Sequence, residues 1–186
     1  MKKYKIIYAD PPWNYVNQGC NGAMKNHYEG MNIKDICSLP INGISDKDSV
    51  LFLWATYPMI KEALQVIDKW GFIYKSIAFQ WIKLNKKNNK HFFGLGRWTR
   101  GNTEPCLIAT KGKPKRVDAS ISQIVEYPIG RHSAKPTIIR EKIIKLMGDI
   151  PRIELFAREK VEGWDALGNE IDGKDIRDAL KEIRRK

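Results

Sequence analysis

Cysteine is scarce in this chain: Cys20, Cys37 and Cys106 lie far apart and no CxxC pair occurs. That argues against a disulfide framework and against a thiolate zinc site, and it fits a reducing cytoplasm. Long hydrophobic runs are missing too. No stretch approaches the roughly 20 apolar residues that span a bilayer. The basic opening MKKYKIIYADPPW reaches the charge of Asp10 before a signal-peptide core can form. No membrane partner is expected, and the expected location is cytoplasmic. Repeats and low-complexity tracts are absent. So are GxSxG and Walker patterns, which removes the common hydrolase and NTPase readings. His27, His91 and His132 are dispersed, without carboxylates or thiols at ligand spacing, so no metal is expected. Negative charge is the scarcer sign: 33 Lys and Arg face 21 Asp and Glu, a formal net charge of +12. That balance favours a polyanionic partner, because phosphate neutralisation releases counterions, although a lysine-rich surface also serves plain solubility.

What is present has the size of one ordinary domain, 186 residues. Five runs read as strands: Lys5–Ala9, Val50–Ala55, Ile73–Ile82, Cys106–Thr110 and Ile153–Ala157. Pro58–Trp70 reads as a helix, with Ile60, Ala63, Leu64 and Ile67 at helical spacing and Gly71 to close it. Pro136–Met147 reads as a second, with Pro136 in its first turn, a stripe of Ile139, Ile143 and Met147, and Gly148 after it. Strands alternating with amphipathic helices predict an α/β fold with a mostly parallel sheet and helices on both faces. Ligands of such sheets sit beyond the carboxyl ends of the strands. Two polar segments, Asn14–Tyr28 and the basic, aromatic Leu84–Thr103, read as long loops, and loops of that length usually carry function or disorder. Residues 1–173 are expected to form the domain. The alternating charges of Lys174–Lys186 read as a solvated helix or frayed tail.

The first strand ends in Asp10-Pro11-Pro12-Trp13, at the functional edge. Two prolines lack N–H groups, so the turn offers carbonyl acceptors on a stiff backbone. With the Asp10 carboxylate, these acceptors suit an NH2 group, and Trp13 offers a flat face for a heterocycle. An exocyclic amine on adenine or cytosine is a poor nucleophile, because its lone pair is delocalised into the ring. Accepting hydrogen bonds from both of its protons draws the nitrogen towards a tetrahedral geometry. Positioning then supplies much of the barrier reduction. Taken alone, the tetrapeptide reads equally well as a strand terminator with Trp13 in the core.

Further segments follow DPPW at 10–13 along the chain: HYEGM at 27–31, LFLWAT at 51–56 and WGFIYKSIAFQWIK at 70–83. GLGRWTRGNTEPCLIATKG at 94–112, HSAKP at 132–136, ELFAR at 154–158 and GWDALGNE at 163–170 complete the set. In this order, from Tyr8 to Gly173, they resemble the MT-A70 family of adenine-N6 methyltransferases. The resemblance implies a Rossmann-like fold dependent on S-adenosylmethionine, in permuted order, with the catalytic DPPW first and cofactor elements last. It implies that Asp10 and Pro11, within a catalytic segment that includes Pro12 and Trp13, hold the target amine. Trp13 and Tyr28 would wall the base pocket. Asp10 would also contact the cofactor, Lys135 would meet its methionine carboxylate, and Arg158, Asn169 and Glu170 would meet its ribose or adenosine. Two departures stand out. Leu167 replaces an aromatic common in relatives, and the glycine-rich FxGxG loop of many methyltransferases is missing, with ELFxR in its place.

The expected activity is methylation of the adenine N6 amine in DNA, of bacterial or phage type, with the base flipped into the pocket or taken from a single strand. RNA is the alternative polymer. Cytosine-N4 methylation uses the same amine chemistry, and a catalytically silent nucleic-acid-binding subunit is the rival from another class. Arg97 and Arg100 in the basic loop are candidate phosphate or base contacts, against the plainer alternative of a solvated loop with an aromatic anchor. Trp54, Trp70 and Trp81 read as core, with Trp81 and Lys83 near enough to a strand end to reach the site. A homodimer or a partner subunit would enlarge a small surface for reading DNA.

Overall fold

Along β1 (Tyr4–Ala9) successive side chains enter two different cores: Ile7 and Ala9 on one face, Ile6 and Tyr8 on the other. A strand buried on both faces reads as a continuous apolar run, and the period of two divides its residues between the layers. The computed structural model describes residues 2–14, 30–96, 98–130 and 134–185. β2 (Ser45–Trp54) repeats the division, with Leu51 and Leu53 facing one layer and Val50, Phe52 and Trp54 the other.

With β3 (Ile73–Leu84), β4 (Thr103–Lys111), β5 (Ile124–Pro128), β6 (Arg152–Leu155) and β7 (Asp165–Leu167), these strands form one sheet. Its order is β5-β3-β4-β2-β1-β6-β7. β1 pairs in parallel with β2 and β6, as does β3 with β5 and β6 with β7. β4 runs antiparallel to both β2 and β3. The sheet is therefore mostly parallel, and the fold is Rossmann-like.

One face is covered by α1 (Ile33–Ser38), α2 (Ile41–Ile44), α3 (Ile60–Lys69) and α6 (Ile176–Arg185), through Ile36, Ile41, Val66, Ile67 and Leu180. The other is covered by α4 (Ile138–Met147), through the expected stripe of Ile139, Ile143 and Met147. α4 ends where Gly148 takes a φ of 89° and returns its N–H to the Ile144 carbonyl. Arg140 of α4 makes a two-pronged bond to the buried Glu154 of β6, at 2.7 and 3.0 Å, and this ties the helix to the strand.

Several sequence expectations shift at their margins. In α3, Ala63, Val66 and Ile67 are buried while Leu64 faces solvent, so the buried stripe is rotated by part of a turn. A 3-10 turn, Tyr57–Met59, replaces the expected first turn. β5 and β7 are two strands beyond the five read from the sequence. Each is short and only partly buried, so its hydrophobic signal is weak. Helix α6 is not a frayed tail: Ile176, Ala179 and Leu180 are buried in the sheet's helical layer, and only its outer face is solvated. No helix among the described residues is long and apolar enough to cross a membrane.

Candidate active site

The strand order places a switch point at β1. The chain leaves β1 for β2 on one side and returns to β6 on the other, with Ala9 in register with both Leu53 and Leu155. Beyond such a point the two connections diverge and leave a crevice at the carboxyl edge. Asp10 stands there, the first residue after β1.

The residues that follow make a tight turn. The Trp13 N–H donates back to the Pro11 carbonyl at 2.9 Å, and the Met31 N–H donates to the Pro12 carbonyl at 2.9 Å. Both carbonyls thus have a backbone partner, where the prolines alone suggested unopposed acceptors. A carbonyl oxygen keeps a second lone pair. Trp13 is only 4% exposed, and its indole N–H donates to the Trp54 carbonyl at 3.0 Å. Its ring belongs to the core and braces the turn against β2; it presents no open face for stacking. Tyr28 and Arg97 lie outside the described residues.

A chain of alternating charges crosses the edge from Asp10. Lys135, just ahead of α4, reaches Asp10 Oδ2 at 2.9 Å and Glu104 Oε1 at 2.9 Å. Lys83, near the end of β3, reaches the other oxygen, Glu104 Oε2, at 2.8 Å. The Lys135 ammonium also lies 5.4 Å from the Trp54 ring centroid, and that of Lys83 lies 5.0 Å from Trp81's. Side-chain exposures are 23% for Asp10, 11% for Lys135, 8% for Glu104 and 23% for Lys83, so the charges are largely withdrawn from water.

Local structure explains the convergence. β4 is antiparallel, so its first residues, not its last, arrive at the carboxyl edge, and Glu104 pairs in register with Trp81. Glu104 was not anticipated from the sequence. The signal was present, since a carboxylate opening an apolar strand must be paired if buried, but only the antiparallel course of β4 puts it beside Asp10. Lys83 was foreseen as a residue near enough to reach the site.

Electrostatics follow from burial and pairing. Burial raises Asp10 above the usual carboxylate range. The Lys135 ammonium opposes this only in part, and the Glu104 carboxylate adds to it. Burial alone would raise Glu104 as well, but Lys135 and Lys83 outweigh it and hold this carboxyl low. Burial would lower Lys135, yet its two carboxylate partners hold it firmly protonated.

On the neighbouring strand, β6 stops at Leu155 because Phe156 takes a left-handed φ of 61°. The loop there turns as a glycine would allow, with a phenylalanine in the glycine's place. Arg158 follows, with its Nε 3.7 Å from Glu170 Oε1. Glu170 and Asn169 are exposed at the start of α5 (Asn169–Asp172). Gly168 holds these two segments together. A Cβ there would stand 2.1 Å from the Ala157 carbonyl oxygen, a backbone atom that has no freedom to retreat. Arg158, Asn169 and Glu170 thus form a second group, one strand over from the Asp10–Lys135 pair.

Arg100 is exposed in the segment between β3 and β4, four residues ahead of Glu104, on a connection that leaves the same edge. That segment folds back on itself. Leu84 bridges His91, Phe92 N–H donates to the Lys83 carbonyl at 2.8 Å, and Gly94 N–H donates to the Gly101 carbonyl at 3.1 Å. Its tip exposes Phe93, Leu95 and Trp98, the last at 93%. Trp54, Trp70 and Trp81 are core, as expected, each with its indole N–H bonded: to Tyr8 Oη, to the Ile36 carbonyl and to the Tyr127 carbonyl. No cluster of His, Cys, Asp or Glu suited to a metal occurs among the described residues.

A mostly parallel sheet with a charged switch point at the end of β1, and a second polar group one strand away, is the frame of an α/β enzyme with its site at the carboxyl edge. The MT-A70 family model matches residues 4–170, and the chain belongs to that family. It is 33% identical to the Type II methyltransferase M.MunI of a Mycoplasma species, covering 94% of this chain and 81% of that protein. It is 27% identical to a putative N(6)-adenosine-methyltransferase MT-A70-like protein of Medicago truncatula and to an N(6)-adenosine-methyltransferase MT-A70-like protein of Arabidopsis thaliana. The matches cover 92% and 91% of this chain but only 27% and 24% of those two proteins, so the chain spans about a quarter of the plant relatives.

Proposed function

We propose that the protein transfers the methyl group of S-adenosylmethionine to the exocyclic N6 amine of adenine in DNA. The observation that carries this reading is the Asp10 carboxylate at the β1 switch point, ion-paired to Lys135 at 2.9 Å, in a chain of the MT-A70 family. The donor set fits the cofactor. The Lys135 ammonium matches an amino-acid carboxylate, and the exposed Asn169 and Glu170 supply acceptors for ribose hydroxyls beside Arg158. When bound, the cofactor supplies an electrophilic methyl group.

The chain's own residues do the rest. Asp10 accepts a hydrogen bond from the target amine, which draws the nitrogen's lone pair out of the ring and compensates the positive charge that builds as the N–C bond forms. The proton that the amine loses during or after transfer passes through Asp10 to solvent. Pro11, with one carbonyl lone pair unspent on Trp13, is the second acceptor for the amine. Pro12 and Trp13 hold the turn rigid, so both acceptors keep their aim. Tyr28, outside the described residues, keeps its proposed role as an aromatic wall of the base pocket on the family motif alone. The tip of Phe93, Leu95 and Trp98, with Arg100 and the lysines at 86, 87 and 90, provides apolar and cationic surface for a polynucleotide, and Arg97 is a further candidate contact by sequence.

DNA is favoured over RNA because the likeness to a Type II methyltransferase spans most of that protein's length, whereas the adenosine methyltransferases match over a quarter of theirs. The test is methyl transfer to unmethylated genomic DNA and to total RNA, read by nucleoside mass spectrometry. N6-methyladenine in DNA, lost in Asp10→Ala with the fold intact, is the expected result. Product in RNA alone overturns the choice of polymer, N4-methylcytosine overturns the choice of base, and full activity in Asp10→Ala overturns the mechanism.

A further inference from the structure

Lys135 does not meet Asp10 alone. Its ammonium is shared between Asp10 Oδ2 and Glu104 Oε1, both at 2.9 Å, and the second oxygen of Glu104 is taken by Lys83 at 2.8 Å. The four groups come from four separate places: the end of β1, the start of β4, the segment before α4 and the end of β3. Two cations alternate with two anions, so the row is neutral as a whole. A buried carboxylate with both oxygens on ammonium groups is costly to build unless its geometry is needed.

We propose that Glu104 and Lys83 are positioning residues for methyl transfer: Glu104 holds the Lys135 ammonium in line with Asp10, and Lys83 balances Glu104 so that Lys135 is not drawn away from Asp10. The assignment rests on the function proposed above for Asp10 and Lys135. Neither Glu104 nor Lys83 need touch the reacting atoms; they act through Lys135.

The remaining charged and titratable groups around Asp10 do not take this role. Arg158 acts on Asp10 from β6's side and pairs with Glu170. Glu154 is matched by Arg140, while Tyr8 and Cys106 are pushed up by burial and stay neutral. The ionisation of Asp10 is therefore governed chiefly by its own burial, by Lys135 and by Glu104.

The row makes a prediction with opposite signs for Glu104 and Lys83. In Glu104→Gln, a like charge near Asp10 disappears and Lys135 has Asp10 as its one anionic partner in the row. The acid limb of the pH–rate profile, where Asp10 must be ionised, then moves to lower pH by about one unit. In Lys83→Met, Glu104 loses half its compensation and pulls Lys135 towards itself, so the limb moves to higher pH. Lys83→Arg keeps the charge and restores the native limb.

The experiment measures methyl transfer to DNA by the whole protein and each variant across the acid limb, with kcat and the cofactor KM separated and the folded fraction read by circular dichroism. Opposite shifts, with rescue in Lys83→Arg, support the proposal. A profile merely scaled down in both variants, or limbs moving the same way, overturns it and leaves a structural salt bridge. If Glu104→Gln does not fold, the Lys83→Met and Lys83→Arg pair decides the matter alone. A wild-type protein that binds no cofactor and methylates nothing overturns the function itself, a result distinct from unmoved limbs in active variants.

Discussion

Replacing Lys135 with methionine keeps most of its volume and deletes the one cation that bridges Asp10 and Glu104. Asp10 then faces a second carboxylate with no ammonium between them, and Glu104 retains only Lys83. Breaking a buried pair by removing one partner costs about 3–5 kcal/mol. The lower figure applies here, because Asp10 keeps 23% of its side chain in contact with solvent and Lys83 still covers one side of Glu104. For a chain of this size each kcal/mol corresponds to about 2–4 °C in Tm, so a loss of about 6–12 °C is expected at neutral pH. The sign of its pH dependence is fixed. In the variant both carboxyls have folded-state pKa values above their unfolded ones, so the penalty is full above the folded value and is relieved as pH falls through it. In the native protein Glu104 is held low, and the stability this gives is present above its unfolded pKa and lost as pH falls through the folded one. The first effect narrows the gap between variant and wild type already between about pH 8 and about pH 5, and the second adds to it only below about pH 4, under the unfolded carboxyl value. Thermal melts by circular dichroism at about pH 8 and about pH 5 measure it. A Tm gap that is absent, or that stays constant or widens in acid, refutes the reasoning.

The same Lys135→Met variant should bind S-adenosylmethionine about tenfold to a hundredfold more weakly, the worth of one charge-assisted contact, by calorimetry. An unchanged Kd removes Lys135 from the cofactor site. At Phe156, whose φ is 61°, glycine should be more stable than alanine by about 1 kcal/mol, because both lose the ring but only alanine keeps the left-handed strain. Chemical denaturation of the two variants decides this, and the reverse order would show that the backbone is not strained there. Gly168→Ala must push the Ala157 carbonyl away from a Cβ placed 2.1 Å from it, so it should lower both Tm and cofactor affinity. A variant with native Tm and native Kd would mean that the two segments are free to separate.

The central strands, both main helices and the DPPW turn are legible in the residue order because each carries a local signal. β1 and β2 are apolar on both faces, α4 has its three-residue stripe and closing glycine, and two prolines stop the first strand. Residue order also singles out Asp10, Lys135, Arg158, Asn169 and Glu170 through the family motifs, and the charge balance points to a polyanion. Spatial order is another matter. β5 and β7 are too short to announce themselves, and α6 has so charged a sequence that only its seat beside α2 and β7 shows which side is buried. Trp13 shows the same limit, since an aromatic after a turn can face either a ligand or the core. Here the Trp54 carbonyl, 41 residues away, takes its N–H and settles it as core. Nothing local sets the direction of β4 either. Its antiparallel course, which follows from pairing between β2 and β3, brings Glu104 rather than Lys111 to the functional edge. The sequence by itself determined which ionisable groups are present and where the first strand stops. The tertiary structure alone decided which charges became partners, because a buried ion pair depends on distances between segments that no spacing along the chain encodes.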